Sequence, residues 1–196
     1  MSRPAKPSLT TEHALLGFLH QQPMHGYEIH RRLSETEGLG LVWYVKQNQL
    51  YALLGKLEKK GYVTTTLEPQ PNRPDRKVFH LTNAGRETFW AWLQNPVQHG
   101  RKLRLEFLAK LYFAQQEEPA VATGLIEKQR EACLVWLKTE RDKIEALEDE
   151  QPYERLVHQF RLGQLEAMLS WLDTCEQALP ELTQLQQEPP EHQVQE

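Results

Sequence analysis

Apolar positions along most of this chain recur with the period of a helix. Residues 46–63 read KQNQLYALLGKLEKKGYV, and there Leu50, Leu53, Leu54 and Leu57 fall at i, i+3, i+4 and i+7, which predicts a helix with one buried stripe. Winding that helix puts Asn48, Ala52, Gly55 and Lys59 on the opposite face, with Tyr51 and Lys56 on its flanks. Gly55 costs about 1 kcal/mol relative to Ala in a helix. Placed beside Ala52 it makes an outer face bare enough for something to come close. Gly61 supplies a left-handed stop after Lys59 and Lys60, whose charges suit the last turn. A β-prone run, 62–67, follows at once.

The neighbouring pattern gives this helix a context. Thr10 or Thr11 caps a first helix to about residue 22, with Leu15, Leu16, Phe18 and Leu19 facing the core and Pro23 ending it. Gly26 opens a second helix, 27 to about 36, carrying Tyr27, Ile29, His30 and Leu33. EGLGLVWYV reads as a turn or short extended piece. After the 62–67 strand comes a second at 77–81. EPQPNRPDR between them reads as a loop, because proline interrupts a ladder. Thr82 caps a fourth helix to about residue 94, with Phe89, Trp92 and Leu93 on one side and Trp90 on another. Helix, helix, helix, strand, wing, strand, helix is the order of a winged helix-turn-helix.

NPVQHG reads as a hinge, and beyond it lie helical stretches at 102–115, 119–148 and 152–179. On the last, Leu162, Leu165, Leu169, Leu172 and Leu179 take one side while Tyr153, Val157, Phe160, Ala167 and Trp171 take the other. A helix apolar on both sides is buried on both sides. One side has its own chain to pack on, and the other is expected to meet a second copy; a larger single-chain bundle is the alternative, with few residues to build it. The tail, 180–196, holds three prolines and many Gln and Glu and is expected to be disordered. The expected fold class is therefore mainly α, with a winged helix-turn-helix domain at 1–95 and a helical dimerisation domain at 101–179.

Composition refines this without changing it. Charged residues at 26% and hydrophobic ones at 39% are ordinary for a soluble globular protein, and the absence of a long apolar run leads us to expect a cytoplasmic one. The net charge of −4 conceals an asymmetry: residues 1–100 carry 12 Lys and Arg against 8 Asp and Glu, and residues 101–196 carry 11 against 19. A mildly basic half joined to an acidic one fits a nucleic-acid module with an assembly module. Cys133 and Cys175 suggest buried thiols rather than a disulfide framework. No histidine pair has the spacing of a zinc-binding helix, and no nucleophile elbow, phosphate loop or dinucleotide fingerprint appears, so neither cofactor nor enzyme activity is expected.

In a helix-turn-helix the second helix enters the major groove. Gln47, Asn48 and Gln49 are of the types that read base edges, Asn48 foremost because it faces directly outward, whereas Gln47 lies nearer the core and has a capping role open to it. Tyr51 has two readings of equal weight, a hydroxyl for a phosphate or a half-buried ring. Lys56 and Lys59 suit phosphates, as do Arg73, Arg76 and Lys77 on a proline-stiffened wing beside the minor groove. Trp90, Trp92, Trp136 and Trp171 either pack as core, the more frequent outcome, or gather in a dimer around a cavity for a small aromatic effector.

LLGFLHQQPMHGYEIHRRL, QLYALLGKLEKKGYV and the wing ending RPDRKVFHLTNAGRE together resemble the PadR family of bacterial transcriptional regulators, in its longer form with a virulence-activator-like C-terminal helical domain. The resemblance covers nearly the whole chain, more specifically in its N-terminal half. It implies a winged helix-turn-helix homodimer, usually a repressor, that leaves its DNA on binding a small, often phenolic, molecule. Tyr51 matches the tyrosine of the family's LY motif, Gly61 the turn glycine and Lys77 the wing cation. Leu81, Thr82 and Gly85 match its LTxxG. Phe79 departs, a tyrosine being more usual there, which removes a hydroxyl contact at that position. The resulting expectation is a dimeric, sequence-specific regulator on a pseudo-palindromic double-stranded operator. The rival is a winged-helix sensing or protein-interaction adaptor that does not bind DNA.

Overall fold

The structure, a computed structural model, describes residues 9–70, 73–148 and 150–187. Its contacts divide the chain into two compact units, residues 1–95 with 102–113, and residues 96–101 with 114–196. Residues 102–113, expected with the C-terminal helices, cluster with the N-terminal unit. Leu103 and Phe107 of this stretch are buried.

In the N-terminal unit α1 (Leu9–Gln21) is the central rod, with Ala14, Leu15, Leu16, Phe18 and Leu19 all buried. Both threonines lie inside this helix, so the cap expected of Thr10 or Thr11 is not made; the Thr10 hydroxyl instead donates to the Glu106 carboxylate at 3.2 Å. A two-residue strand, β1 (Met24–His25), comes next, too short to show any period in the sequence. α2 (Gly26–Ser34) and a 3-10 turn (Gly38–Leu41) lead to α3 (Gln47–Lys59). All four stripe leucines of α3 are buried. It ends as expected: Gly61 has φ 73°, Gly61 N–H donates to the Glu58 carbonyl at 2.9 Å and Tyr62 N–H to that of Leu57 at 3.0 Å, a Schellman stop.

β2 (Val63–Gln70) and β3 (Arg73–Leu81) form the wing, and the sheet order is β1-β3-β2. Met24 pairs with Phe79 and His25 with Val78. The strands run well into the stretch expected to be a loop, pairing Glu68 with Arg76 and Gln70 with Arg73 across an irregularity between Glu68 and Gln70. β2 is an edge strand, where Pro69 can sit at a bulge with no ladder donor lost. α4 (Asn83–Leu93) starts as predicted: Thr82 Oγ1 accepts from Gly85 N–H at 3.0 Å and donates to the Gly61 carbonyl at 2.8 Å. A side chain at Gly85 would stand 2.1 Å from the Tyr62 carbonyl oxygen, so glycine lets the helix start lie against the root of the wing.

A π-helical turn (Leu103–Phe107) and α5 (Leu108–Ala114) complete this unit around a buried polar cluster. Glu106 accepts from Trp92 Nε1 at 3.3 Å and pairs with Lys102 at 3.0 Å and Lys110 at 3.7 Å. Lys110, 2% exposed, donates to the Asn95 carbonyl at 2.6 Å and stands over the Trp92 ring. Burial pushes its amine down to about 8 despite the Glu106 charge. Burial also raises Glu106, but Lys102 and Lys110 outweigh it and hold the acid below the ordinary carboxylate value.

In the C-terminal unit α6 (Pro119–Glu145) and α7 (Pro152–Gln187) pack against each other. The pairs Arg130 with Asp173 and Glu176, Arg141 with Glu166, and Glu140 with His158 show that they run antiparallel. The stretch read as a hinge is tied down within this unit, Val97 being buried and its N–H donating to Gln129 Oε1 at 2.8 Å. α7 passes through Pro180 to Gln187, which corrects the expected disordered tail over 180–187; residues 188–196 lie outside the described residues. A proline forfeits one helical hydrogen bond, and near the end of a 36-residue helix the remaining turns carry on.

Candidate nucleic-acid interface

α3 presents the bare face that its period predicts. Gln47, Asn48, Gln49, Tyr51, Ala52 and Lys59 are exposed, and nothing lies within 4 Å of a Cβ built on Gly55. The N-cap, Lys46, contributes no side-chain bond. Asn48 Oδ1 accepts from Gln49 N–H at 2.8 Å instead, satisfying one open donor of the first turn. Asn48, not Gln47, is therefore the side chain engaged with the helix start.

Lys56 and Lys59, grouped in the sequence reading, part company. Lys56 and Lys60 both pair with Glu12 of α1, Lys60 at 2.8 Å, and the Glu12 side chain is only 4% exposed. Burial raises this acid, and the two lysines more than reverse the effect, keeping it ionised below its ordinary range. Lys56, with its side chain 48% exposed, thus neutralises a buried carboxylate, an engagement that the phosphate role expected of it would have to share. Lys59 is exposed and remains on the outer face.

The wing joins α3 through residues that periodicity does not flag. His25 N–H donates to Glu28 at 2.7 Å; its ring lies 3.1 Å from the Lys77 carbonyl through Nδ1 and 3.2 Å from Glu68 through Nε2. The same ring stacks on Tyr27 at 5.5 Å, and the Arg76 guanidinium lies over Tyr27 at 5.4 Å. Tyr51 packs its ring against Gly26, where a Cβ would come within 2.7 Å. Tyr51, Arg76 and Lys77 thus share one cleft of about 570 Å³ with His25, Tyr27 and Asp75. Phe79 is buried beside Met24 and Thr65, a position with no water to recompense a hydroxyl. Arg73 begins β3, and its side chain lies outside the described residues. The signal for His25 and Tyr27 was present in the HGYEI stretch, but their partners are some fifty residues away.

The tryptophans do not form one set. Trp90 and Trp92 belong to the N-terminal unit, Trp136 and Trp171 to the C-terminal one. Trp92 is core, stacked on His13 at 5.3 Å with its N–H on Glu106. Trp90 meets His20 edge-on at 5.5 Å. Trp136 lines a cavity of about 470 Å³ and Trp171 is half-buried on α7. Of the residues assigned to dimerisation, Tyr153, Phe160 and Ala167 are exposed and Val157 and Trp171 half-buried. Leu156, and Leu134 and Val135 on α6, are further exposed apolar side chains that the sequence reading missed.

Residues 15–91 match the model of the transcriptional regulator PadR-like family, and residues 103–180 that of the virulence activator alpha C-terminal family. The negative transcriptional regulator PadR of Bacillus subtilis (strain 168) is 29% identical over 138 residues, covering 69% of this chain and 75% of that one. The crystal structure of Bacillus subtilis PadR with operator DNA aligns over 90% of this chain and 99% of its own, at 25% identity and TM-score 0.45. The same regulator solved with p-coumaric acid aligns over 88% and 98%, at 24% identity and TM-score 0.39.

Proposed function

The chain belongs to the PadR-like family of transcriptional regulators, and on that premise we propose that it is a cytoplasmic, dimeric, sequence-specific DNA-binding repressor. The observation that carries the reading is the outer face of α3, with Gln47, Asn48, Gln49 and Lys59 exposed around Ala52 and an open Gly55, flanked by Arg76 and Lys77 in the Tyr51 cleft. Lys59, Arg76 and Lys77 hold phosphates and set the register, while Asn48 and its neighbours read base edges. His25 and Tyr27 are positioning residues that fix where the wing cations stand. Negative regulation is supported by the name of the Bacillus subtilis relative.

A second copy supplies the second half-site. Tyr153, Leu156 and Phe160 recur at i, i+3 and i+7 on α7 and are 73%, 64% and 67% exposed. So continuous an apolar stripe on a monomer calls for a partner surface, and a two-fold dimer buries it against its own copy. Such a dimer presents two α3 helices to a pseudo-palindromic operator. A small aromatic effector completes the reading; its support is local, Trp136 standing half-buried at a cavity of the C-terminal unit.

The test is an electrophoretic shift on the protein's own promoter region at low and high salt. A sequence-selective complex that weakens steeply with salt is expected. Its absence at every salt concentration would favour the winged-helix adaptor.

A further inference from the structure

One imidazole touches both long strands of the wing. His25 of β1 pairs with Val78 in the ladder, and its side chain is 16% exposed. Nδ1 lies 3.1 Å from the Lys77 carbonyl of β3, and Nε2 lies 3.2 Å from the Glu68 carboxylate of β2. Both partners are acceptors. A neutral imidazole carries a single N–H, so it satisfies one of them while its lone pair faces the other; the imidazolium donates to both. The neutral ring has another use for Nδ1, because the Glu28 N–H in the first turn of α2 faces that nitrogen in the manner of a capping box.

The charged and titratable groups around the ring come from each element packed there: Tyr27 and Glu28 of α2, Tyr51 of α3, Glu68 of β2, and Asp75, Arg76 and Lys77 of β3. Glu28 is engaged by the His25 backbone N–H at 2.7 Å, and the Arg76 guanidinium lies over Tyr27. Among the described residues, Glu68 is the acid within ion-pair distance of the ring. The strand that accepts from Nδ1 is also the one that carries Arg76 and Lys77.

We propose that protonation of His25 locks the wing. With the proton bound, the ring holds β2 through Glu68 and β3 through the Lys77 carbonyl at once; without it, one of the two ties is released. The lock stands without the DNA reading, and its consequence, a pH-dependent operator affinity, rests on that reading. Because the locked form holds the extra proton, lower pH favours it, and operator binding favours protonation in turn.

Two measurements on the full chain test it between about pH 5.5 and 8.5, the range in which histidine changes charge. The first is nuclear magnetic resonance without DNA, on protein with isotopically labelled nitrogen. Both ring nitrogens of His25 are expected to carry protons at the acid end. The amides of Glu68 and of Val78, whose N–H shares a peptide group with the Lys77 carbonyl, are expected to shift with the midpoint of the ring. A ring whose charge does not change, or wing amides that ignore the change, overturns the proposal. The second is operator affinity at fixed ionic strength. The unaltered chain is expected to bind about fivefold more tightly at the acid end, His25→Gln to lose that difference, and a variant of the wing's other histidine, His80→Gln, to keep it. Glu68→Gln separates a lock from a mere gain of charge: its amide donates to the neutral ring, so tight binding persists at the alkaline end. Circular dichroism checks that each variant folds. A pH dependence absent from the unaltered chain, or surviving His25→Gln or Glu68→Gln, overturns the proposal and leaves the operator reading standing. Coupled ring and wing shifts without any operator complex uphold the lock and remove the operator reading.

Discussion

The two units treat charge and apolar surface in opposite ways. The N-terminal unit takes charges inside: Glu12, Glu106 and Lys110 are each buried, and each is held by partners from a different element. The C-terminal unit keeps pairs such as Arg141 with Glu166 at the surface, with Glu140 and His158 the more enclosed exception, and leaves Leu134, Val135, Tyr153, Leu156 and Phe160 uncovered. A buried acid with specific donors tolerates one geometry only, because displacing a partner strands a charge. An apolar stripe tolerates many partners but demands one. The first arrangement suits a unit that must hold a helix and a wing in fixed register, and the second suits the proposed pairing with a second copy.

Substitutions can break this contrast. The largest effect is expected from Leu156→Asp with Phe160→Asp. In the proposed dimer both side chains are buried at the interface, and losing about 2 kcal/mol for each raises its dissociation constant roughly a thousandfold. Sedimentation equilibrium reads it, and an unaltered dimer would remove the stripe from the interface. Next, Glu106→Ala leaves Lys110 buried without its acid and is expected to cost about 3 kcal/mol in urea unfolding. Arg141→Ala, in the exposed pair of the other unit, is expected to cost below about 1 kcal/mol. Equal costs would dissolve the contrast. Smaller again, Asn48→Ala should lose about 1–3 kcal/mol of discrimination at one base position, read by competition with singly substituted operators. Unchanged affinity and preference would strip Asn48 of its reading role.

The smallest effects are in pH. Glu12 and Glu106 sit below their ordinary values because their lysines outweigh burial. The unfolded chain therefore takes up protons first as pH falls, and the stability these acids provide, complete above the ordinary carboxylate range, is lost as pH drops through their folded values. Glu106→Gln should flatten the acid limb of the urea midpoint. Lys110 titrates at about 8 when folded against about 10.4 unfolded. The unfolded state holds the extra proton between these values, so stability rises with pH across that window. Lys110→Met should abolish the rise, and a rise that survives would have to come from another group.

How much of this was legible in the sequence depends on how far each residue's partner lies along the chain. The α3 stripe, the Gly61 stop and the Thr82 cap are local, and periodicity and turn chemistry gave them correctly. The pairing of Lys56 with Glu12 joins positions 44 apart, and the helical wheel, which sets Lys56 on a flank and Lys59 on the outer face, does not reveal that partner. β1 is two residues long, and Pro69 is accommodated because β2 is an edge strand. Helical character marked 102–115 without saying that its first part belongs to the N-terminal unit. Within the candidate interface the outward face of α3 could be read, while the His25, Tyr27 and Arg76 stack could not.

The central claim is that Lys59 meets a phosphate while Lys56 serves the fold. It is tested most directly by operator affinity across salt for the unaltered chain, Lys59→Ala and Lys56→Ala. The account predicts a steep fall of log affinity with log salt, a slope shallower by about 1 for Lys59→Ala, and for Lys56→Ala an unchanged slope with a lowered unfolding midpoint. A slope that Lys56→Ala reduces and Lys59→Ala leaves intact would contradict it.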